Sequence, residues 1–207
     1  MLMDTSKYHL TNLECRIIKE LLSSATTPLA ALRLELNHII SVLEWIEKLN
    51  PNAPKPLRYA GLLHDCDRLY PKRAKRETFA DYESYKRAHA KQCALFATLI
   101  LKRAGIREET TRKTQLLIED HEWGTTSLSY LLMAADSLSF FSVNIVDYLE
   151  TRGTETTRKK ISFMYVRLKR KERQLLHMVD LPFKHISPLY RLFRQETRTE
   201  KPAKKRV

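Results

Sequence analysis

A histidine and an aspartate, His64 and Asp65, stand side by side at the end of an apolar run that begins at Leu57. Two titratable groups at such a position are expected to be buried. Burying an ionised side chain without a partner is strongly unfavourable, so the fold must supply a compensating charge. Neutral imidazoles and carboxylates are common metal ligands, and a metal ion is therefore one way to supply it.

Four further histidine and aspartate side chains fall in apolar helical patterns. His38 lies four and seven residues before Val42 and Trp45, a spacing that predicts a core-facing side chain. Asp136 lies in the apolar stretch LLMAADSLSFF, with no basic residue within a helical turn. The full set that a shared metal centre would explain is His38, His64, Asp65, His89, His121 and Asp136. Such a set accepts Mn, Fe, Co, Ni or Zn.

The order of these residues along the chain resembles the HD-domain superfamily of metal-dependent phosphohydrolases. The H…HD…D core of that superfamily is matched by His38, by His64 and Asp65, and by Asp136. The resemblance covers about residues 28–150. The segment YKRAHAKQCALFATLILKRAG and the helix after Gly153 also resemble a group of HD-like proteins known only as a domain of unknown function.

The resemblance implies a reaction in which a metal-activated water attacks phosphorus in a small phosphate ester or nucleotide. It implies one or two divalent ions per chain, with Asp65 shared between them in the two-ion case. His89 and His121 then bind the second ion, or face the substrate if there is one ion. Asp65, His89 and His121 are thus expected to be catalytic. Asp67 is expected to orient water or act as a general base, although a surface pairing with Arg68 explains it equally well.

Basic side chains near the predicted site are candidates for binding the phosphate of the substrate. Arginine suits bidentate contact with phosphate, and lysine acts as a point charge. The candidates are Lys72, Arg73, Arg76, Lys86 and Lys91. The loop that holds the first three could also be simply solvated.

Two other classes of function fit the same sequence. Some HD-fold proteins hold a di-iron pair and act as oxygenases, and the same six ligands would serve them. A non-enzymatic nucleic-acid-binding module would instead use the basic C-terminal segment. Signatures of the cyclic-dinucleotide phosphodiesterases and of the guanosine tetraphosphate hydrolases do not occur in this sequence.

Helices must position these residues, because only four glycines occur among 207 residues and no glycine-rich phosphate loop can be built from them. We predict an all-α, HD-type helical bundle. Helices are expected over 9–22, from Pro28 to Asn50, from Pro56 through His64 and Asp65, over 81–103 and over 108–120. A very apolar helix should follow Thr126 or Ser127 and end near Gly153. A basic helix over 155–178 and a short helix near 186–195 complete the prediction.

The charge of the chain is concentrated near its end. Residues 1–150 carry 20 Lys and Arg against 19 Asp and Glu, whereas residues 151–207 carry 17 against 5. We therefore divide the chain into a metal-binding domain (1–153), a basic helical extension packed on it (154–197) and a disordered basic tail (198–207). The extension allows weak binding to polyanions.

The cysteines and the apolar segments indicate the cellular compartment of the protein. Three isolated cysteines and no C-x-x-C pair argue against a disulfide framework or a zinc ribbon. The N-terminus lacks a signal-peptide pattern and no run of 18 apolar residues occurs. The sequence predicts a cytoplasmic protein that does not contact a membrane; its oligomeric state stays open.

Overall fold

The structure is a computed structural model that describes residues 10–23, 25–70, 73–176 and 179. All regular elements in these ranges are helical, which confirms the predicted all-α class. The α-helices are α1 (Asn12–Ser23), α2 (Leu29–Leu49), α3 (Lys55–Leu63), α4 (Tyr82–Arg103), α5 (Glu108–Asp120), α6 (Ser127–Ser139), α7 (Ile145–Val166) and α8 (Arg170–Leu175). Helix α7 is kinked at Gly153, which has φ 75° and ψ 170°, where the sequence predicted a helix end. Short 3₁₀ turns occupy Cys66–Leu69 and Arg76–Thr78, and a π-helical turn occupies Phe140–Asn144.

The chain divides into two compact units, the first ending at Ser139 and the second beginning at Phe140. This division falls earlier than the predicted domain boundary at residue 153, which stays a prediction. The helix predicted near 186–195 and the tail predicted over 198–207 lie outside the described residues.

The first unit is built around α2 and α3. Helix α2 packs on α3 and α6, α3 also packs on α5, and α5 packs on α4. Helix α3 is buried on nearly every side from Leu57 to Leu63. A short helix enclosed in this way delivers the residues at its C-terminal end directly into the core.

Three predicted helix boundaries are wrong, and each has a local cause. Helix α3 ends at Leu63, so Asp65 is outside it, with φ −116° and ψ 19°. The apolar helix after Ser127 is interrupted by the π-helical turn that begins at Phe140. The predicted basic helix over 155–178 is broken after Val166, where Leu168 N–H donates to Tyr165 O in a tighter turn (3.1 Å) before α8 begins.

The most apolar helical segment, Ser127–Val166, has the length and composition of a membrane span, but about two thirds of its most apolar window (67%) is buried inside the structure. A core helix of a soluble protein has this pattern. The described residues are thus consistent with a soluble protein, and the cytoplasmic location stays a prediction.

Gly61 allows α3 to approach α2 closely. A Cβ atom at this position would lie 2.6 Å from Ile46 Cδ1 and 3.5 Å from Val42 Cγ1. The absence of a side chain at Gly61 therefore leaves room for Ile46 between the helix that carries His38 and the helix that ends at His64.

We expect Gly61→Val to destabilise the protein by about 1–3 kcal/mol, because overpacking a close helix contact forces neighbouring side chains out of place. Chemical denaturation measures the change. Leu99→Val on α4 is the control, since position 99 is 55% exposed and accommodates valine without overpacking. Equal stability of the two variants would contradict the close-contact interpretation.

Candidate metal centre

Four of the predicted ligands converge in the first unit. His38 lies in the middle of α2, His64 caps the C-terminus of α3 and Asp136 lies on α6. Because the helix ends at Leu63, the backbone turns at Asp65 and the two neighbouring side chains reach the same place. The exposed fractions of His38, His64, Asp65 and Asp136 are at most 7%.

The ligand atoms of this group are spaced as they would be around one ion. His38 Nε2 lies 3.3 Å from His64 Nε2, 3.6 Å from Asp65 Oδ2 and 3.5 Å from Asp136 Oδ1. His64 Nε2 lies 3.5 Å from Asp65 Oδ2 and 3.7 Å from Asp136 Oδ1. Ligand atoms that share an ion at roughly 2.0–2.2 Å are separated by roughly 3–3.5 Å from one another. The four residues could therefore hold one metal ion.

A second group shares Asp65 with the first. His89 Nε2 lies 2.9 Å from Asp65 Oδ1, and His121 completes a buried set whose ligand atoms could also hold an ion. The two oxygens of Asp65 thus face different groups: Oδ2 faces His38 and His64, and Oδ1 faces His89. Each oxygen of Asp65 would thus be available to a different ion.

In all four imidazoles, Nδ1 donates a hydrogen bond to an acceptor that lies away from the centre. His64 Nδ1 donates to Gly61 O (3.1 Å), and His121 Nδ1 donates to Ile118 O (2.6 Å). His89 Nδ1 donates to Asp67 Oδ2 (3.0 Å).

His38 follows the same pattern through Ser139. The hydroxyl of Ser139 is directed at His38 O (3.3 Å), so its oxygen is left to accept from His38 Nδ1 (2.9 Å). Each of the four neutral rings would then present the lone pair of Nε2 to the centre, as metal-ligating histidines do when the other ring nitrogen is held by an acceptor.

Asp67 contacts the predicted site through His89. Its exposed fraction is 1%, Oδ2 accepts from His89, and Oδ1 is buried without a hydrogen-bond partner among the described residues. Asp67 is therefore placed to orient His89 from behind, whereas the sequence suggested a water-orienting base or a surface pair with Arg68.

The charges around the centre shift the pKa values of its members. Burial lowers the pKa of His38, but hydrogen bonds and charge from Asp136 and Asp65 raise it from 6.5 to about 9. Burial lowers the pKa of His89 too, but hydrogen bonds with Asp65 and Asp67 hold it far above the ordinary range. For His121, burial is the main effect and lowers the pKa.

Asp65 is held ionised by its neighbours. Burial alone would raise the pKa of its carboxyl, but the charges of Arg68 and His64, with hydrogen bonds from His38 and His89, keep that pKa well below the usual range. A carboxylate that stays ionised in a buried site is ready to bind a cation.

Arg68 is a site residue that the sequence analysis did not place in the centre. Its Nη2 lies 2.8 Å from Asp65 Oδ2, and its side chain is 39% exposed. The turn that carries it is attached to the start of α2, because Thr27 Oγ1 donates to Arg68 O (3.3 Å) and Thr26 N–H donates to Leu69 O (3.1 Å). The signal in the sequence was its spacing, one turn after Asp65.

Of the five predicted phosphate-binding residues, Lys72 lies outside the described residues. Arg73 is exposed and close enough to influence the pKa of Tyr85, whose ring stacks on His89 at 6.0 Å between centroids. Arg76 is exposed and donates to Phe79 O (2.8 Å).

The two predicted lysines of α4 have different surroundings. Lys86 is buried, pairs with Glu83 (2.8 Å) and lies over the rings of Tyr82 and Trp123. Lys91 is exposed, although His89 two residues earlier is buried. Contact of either lysine with a substrate stays a prediction.

Trp123 fastens the end of α5 to α4. Its indole N–H donates to Glu83 Oε1 (2.6 Å), and Lys86 and Arg87 lie over its ring at 5.2 and 5.0 Å. Because His121 is two residues before Trp123, this attachment holds His121 near His89, with ring centroids 5.7 Å apart.

Two buried cysteines line the outer side of His89. Cys93 Sγ lies 3.7 Å from His89 Nδ1, and Cys66 Sγ lies 3.5 Å from Cys93 O. Asp67, His89 and Cys93 form a third buried group with metal-ligand spacing. Burial raises the pKa of the Cys93 thiol well above its usual range, and Cys66 raises it further. The sequence does not indicate Cys93 as a ligand, because its three cysteines are isolated.

Comparison with known proteins gives one family. A family profile described as Domain of unknown function (DUF4202) matches residues 22–187, most of the chain. The chain belongs to the DUF4202 family. No curated protein and no solved structure matches it. The family description carries no activity, so the predicted relationship to HD-domain phosphohydrolases stays a prediction that depends on the residues of the centre.

We expect the stability of the metal-free protein to fall as the pH rises from about 6.5 to 9. The folded-state pKa of His38 is raised to about 9 from 6.5, so its proton stabilises the folded state below pH 6.5. This contribution, about 3 kcal/mol, is lost as the pH passes through the folded-state pKa. The raised pKa of His89 adds a loss in the same direction.

Urea unfolding of chelator-treated protein at pH 6, 7.5 and 9 measures the effect, with His38→Gln as a comparison that should show a shallower decline. Reconstitution with metal should remove most of the decline, because a ligand bound to an ion carries no proton to lose. Constant or increasing stability of the metal-free protein over this range would contradict the interpretation.

Proposed function

We propose that this protein is a metal-dependent phosphohydrolase acting on a small phosphate ester or nucleotide. The observation that carries the proposal is the orientation of four buried imidazoles, whose Nδ1 atoms are all held by acceptors while Nε2 faces Asp65 and its neighbours. Without a metal ion, the buried carboxylates would have to be balanced by protons on the rings. The residues present therefore fit a metal centre.

The ligand groups suggest how a metal pair would be held. His38, His64, Asp65 and Asp136 would bind one ion, and Asp65, His89 and His121 would bind another. A divalent ion in such a site lowers the pKa of bound water and neutralises negative charge on phosphate oxygens.

Side chains of the protein supply the remaining requirements of phosphate-ester hydrolysis. Arg68 is charged, partly exposed and adjacent to Asp65, so its guanidinium can contact phosphate oxygens of a substrate. Asp67 fixes the ring of His89 by accepting from Nδ1, which makes it a positioning residue. Arg73, exposed near Tyr85, can contribute a second positive charge.

The alternative function, a di-iron oxygenase, would use the same ligands. An experiment must therefore distinguish it from a phosphohydrolase. The cation at Arg68 favours an anionic substrate, which is why we place phosphate hydrolysis first. The deciding experiment screens the protein, reconstituted separately with Mn, Fe, Co, Ni and Zn, against nucleotides and phosphate esters. Phosphate release supports the proposal. Oxygen consumption by the iron form, without phosphate release from any substrate, would support the oxygenase.

We predict that Asp65→Ala abolishes metal retention and lowers phosphate release by more than about a hundredfold. Loss of groups that merely orient a ligand costs 10–100-fold, and Asp65 faces both ligand groups. Elemental analysis and the phosphatase assay measure the two effects. Asp147→Ala, on α7, is the control and should leave both unchanged. Normal metal content in Asp65→Ala would contradict the proposed centre.

We further predict that reconstituted wild-type protein binds about two ions per chain, held on either side of Asp65. His89→Ala should lower the ratio to about one and sharply reduce turnover, and His121→Ala should do the same. The metal-to-protein ratio measured after removal of free metal tests this. A wild-type ratio near one that His89→Ala does not change would instead indicate one ion, with His89 and His121 facing the substrate.

A further inference from the structure

The second unit is strongly basic along residues 152–173. Residues 152–173 contain nine lysines and arginines against two glutamates. Six of these cations are exposed and the other three are partly exposed. We define the basic face as its exposed members from Arg158 onward, namely Arg158, Lys159, Lys169, Arg170 and Lys171.

The apolar side of this segment is already covered within the protein. Ile161, Met164, Tyr165 and Leu168 have exposed fractions of 7% or less. They follow helical spacing, so the cations occupy the remaining surface.

The two glutamates of residues 152–173 are too few to neutralise the nine cations of that segment. Glu155 pairs with Arg158 (2.9 Å) and Lys159 (3.8 Å) on the exposed surface, where ion pairs are weak and readily exchanged. Glu172 is buried. The basic face therefore keeps a large net positive charge.

Aromatic rings hold the partly exposed cations in place. Lys160 lies over Phe140 and Phe163 at 5.8 and 5.2 Å, and Arg173 lies over Tyr165 at 4.4 Å. Such contacts restrict these flexible side chains, which neighbour the basic face in sequence and are not members of it.

We propose that the basic face binds the phosphodiester backbone of a nucleic acid. Clustered arginine and lysine on one surface neutralise successive phosphates, and binding of this kind requires no contact with bases. An anionic membrane is the less suitable partner, because an interfacial helix inserts an exposed apolar side. Val166 is the large apolar side chain that is exposed in the described part of this unit.

The proposal is independent of the metal centre and is tested in the full chain. Fluorescence anisotropy with a labelled 30-nucleotide single-stranded RNA and the matching DNA measures affinity between 50 and 200 mM KCl. The test variant replaces the five residues of the basic face with glutamine. The control replaces five exposed cations of the first unit, Lys19, Arg33, Lys55, Arg107 and Arg112, with glutamine, so that the net charge changes equally.

Loss of the basic face should weaken binding by about tenfold or more. The slope of log K against log salt should become shallower by up to about 3.5, because each phosphate contact with a single strand contributes about 0.7. The control should change affinity by less than about threefold, and circular dichroism should show both variants folded. Equal binding of RNA and DNA supports recognition of the shared backbone, and stronger binding of RNA supports RNA as the partner.

Three results would overturn the proposal. The first is no binding of either nucleic acid by the wild type at 50 mM KCl. The second is an equal loss of affinity in the test variant and the control, which would indicate that binding depends on the overall charge of the protein. The third is tighter binding to phosphatidylserine vesicles or to a polyglutamate peptide than to RNA at the same salt.

Discussion

The first unit depends on a buried cluster of imidazoles and carboxylates that cannot neutralise itself without a proton or a cation. Each of the four rings has Nδ1 held by an acceptor, which is a serine oxygen, a carboxylate or a backbone carbonyl. The Nε2 atoms then face Asp65 and its neighbours at close range. In the metal-free protein, protons on His38 and His89 balance the carboxylates, as their raised pKa values indicate. A metal ion would replace those protons, so metal binding and pH should act on the same site.

The surrounding fold holds this cluster by ending helices at the site. Helix α3 stops at Leu63 and α5 stops at Asp120, so His64 and His121 each follow directly and each donates Nδ1–H to a carbonyl three residues earlier. The two histidines are thus positioned by the same local device at two helix ends. Contacts between residues far apart in the sequence complete the site. Ser139 on α6 accepts from His38, and Trp123 attaches the end of α5 to α4.

The two units differ in how they use charge. In the first, charged groups are buried and matched, as in Asp65 with Arg68 and the histidines. In the second, cations lie outside a buried apolar stripe and are matched by few acids. Buried matched charge suits a site for a small ion or ligand, and an exposed excess of positive charge suits a large anionic surface. The hydrolase and the nucleic-acid surface are therefore separate proposals with separate tests.

The sequence by itself determined the helical class, most helix positions and the membership of the centre. Capping residues and apolar spacing predicted α5 at its observed bounds and α4 to within a residue, because these signals are local. The six candidate ligands could be found because titratable residues in apolar patterns are conspicuous. Charge counting likewise located the basic segment.

Only the tertiary structure decided how those residues are used. Sequence periodicity gives the face of a helix on which a residue lies, but not the place where the helix ends or which ring nitrogen faces inward. Those features depend on partners far apart in the chain, such as Ser139 with His38, 101 residues away. For this reason the sequence left Asp67 open between a general base and a surface partner of Arg68, gave Arg68 no other role, and did not indicate the ion pair and aromatic contacts of Lys86. Local preferences identify candidates, whereas packing between distant elements fixes their orientation.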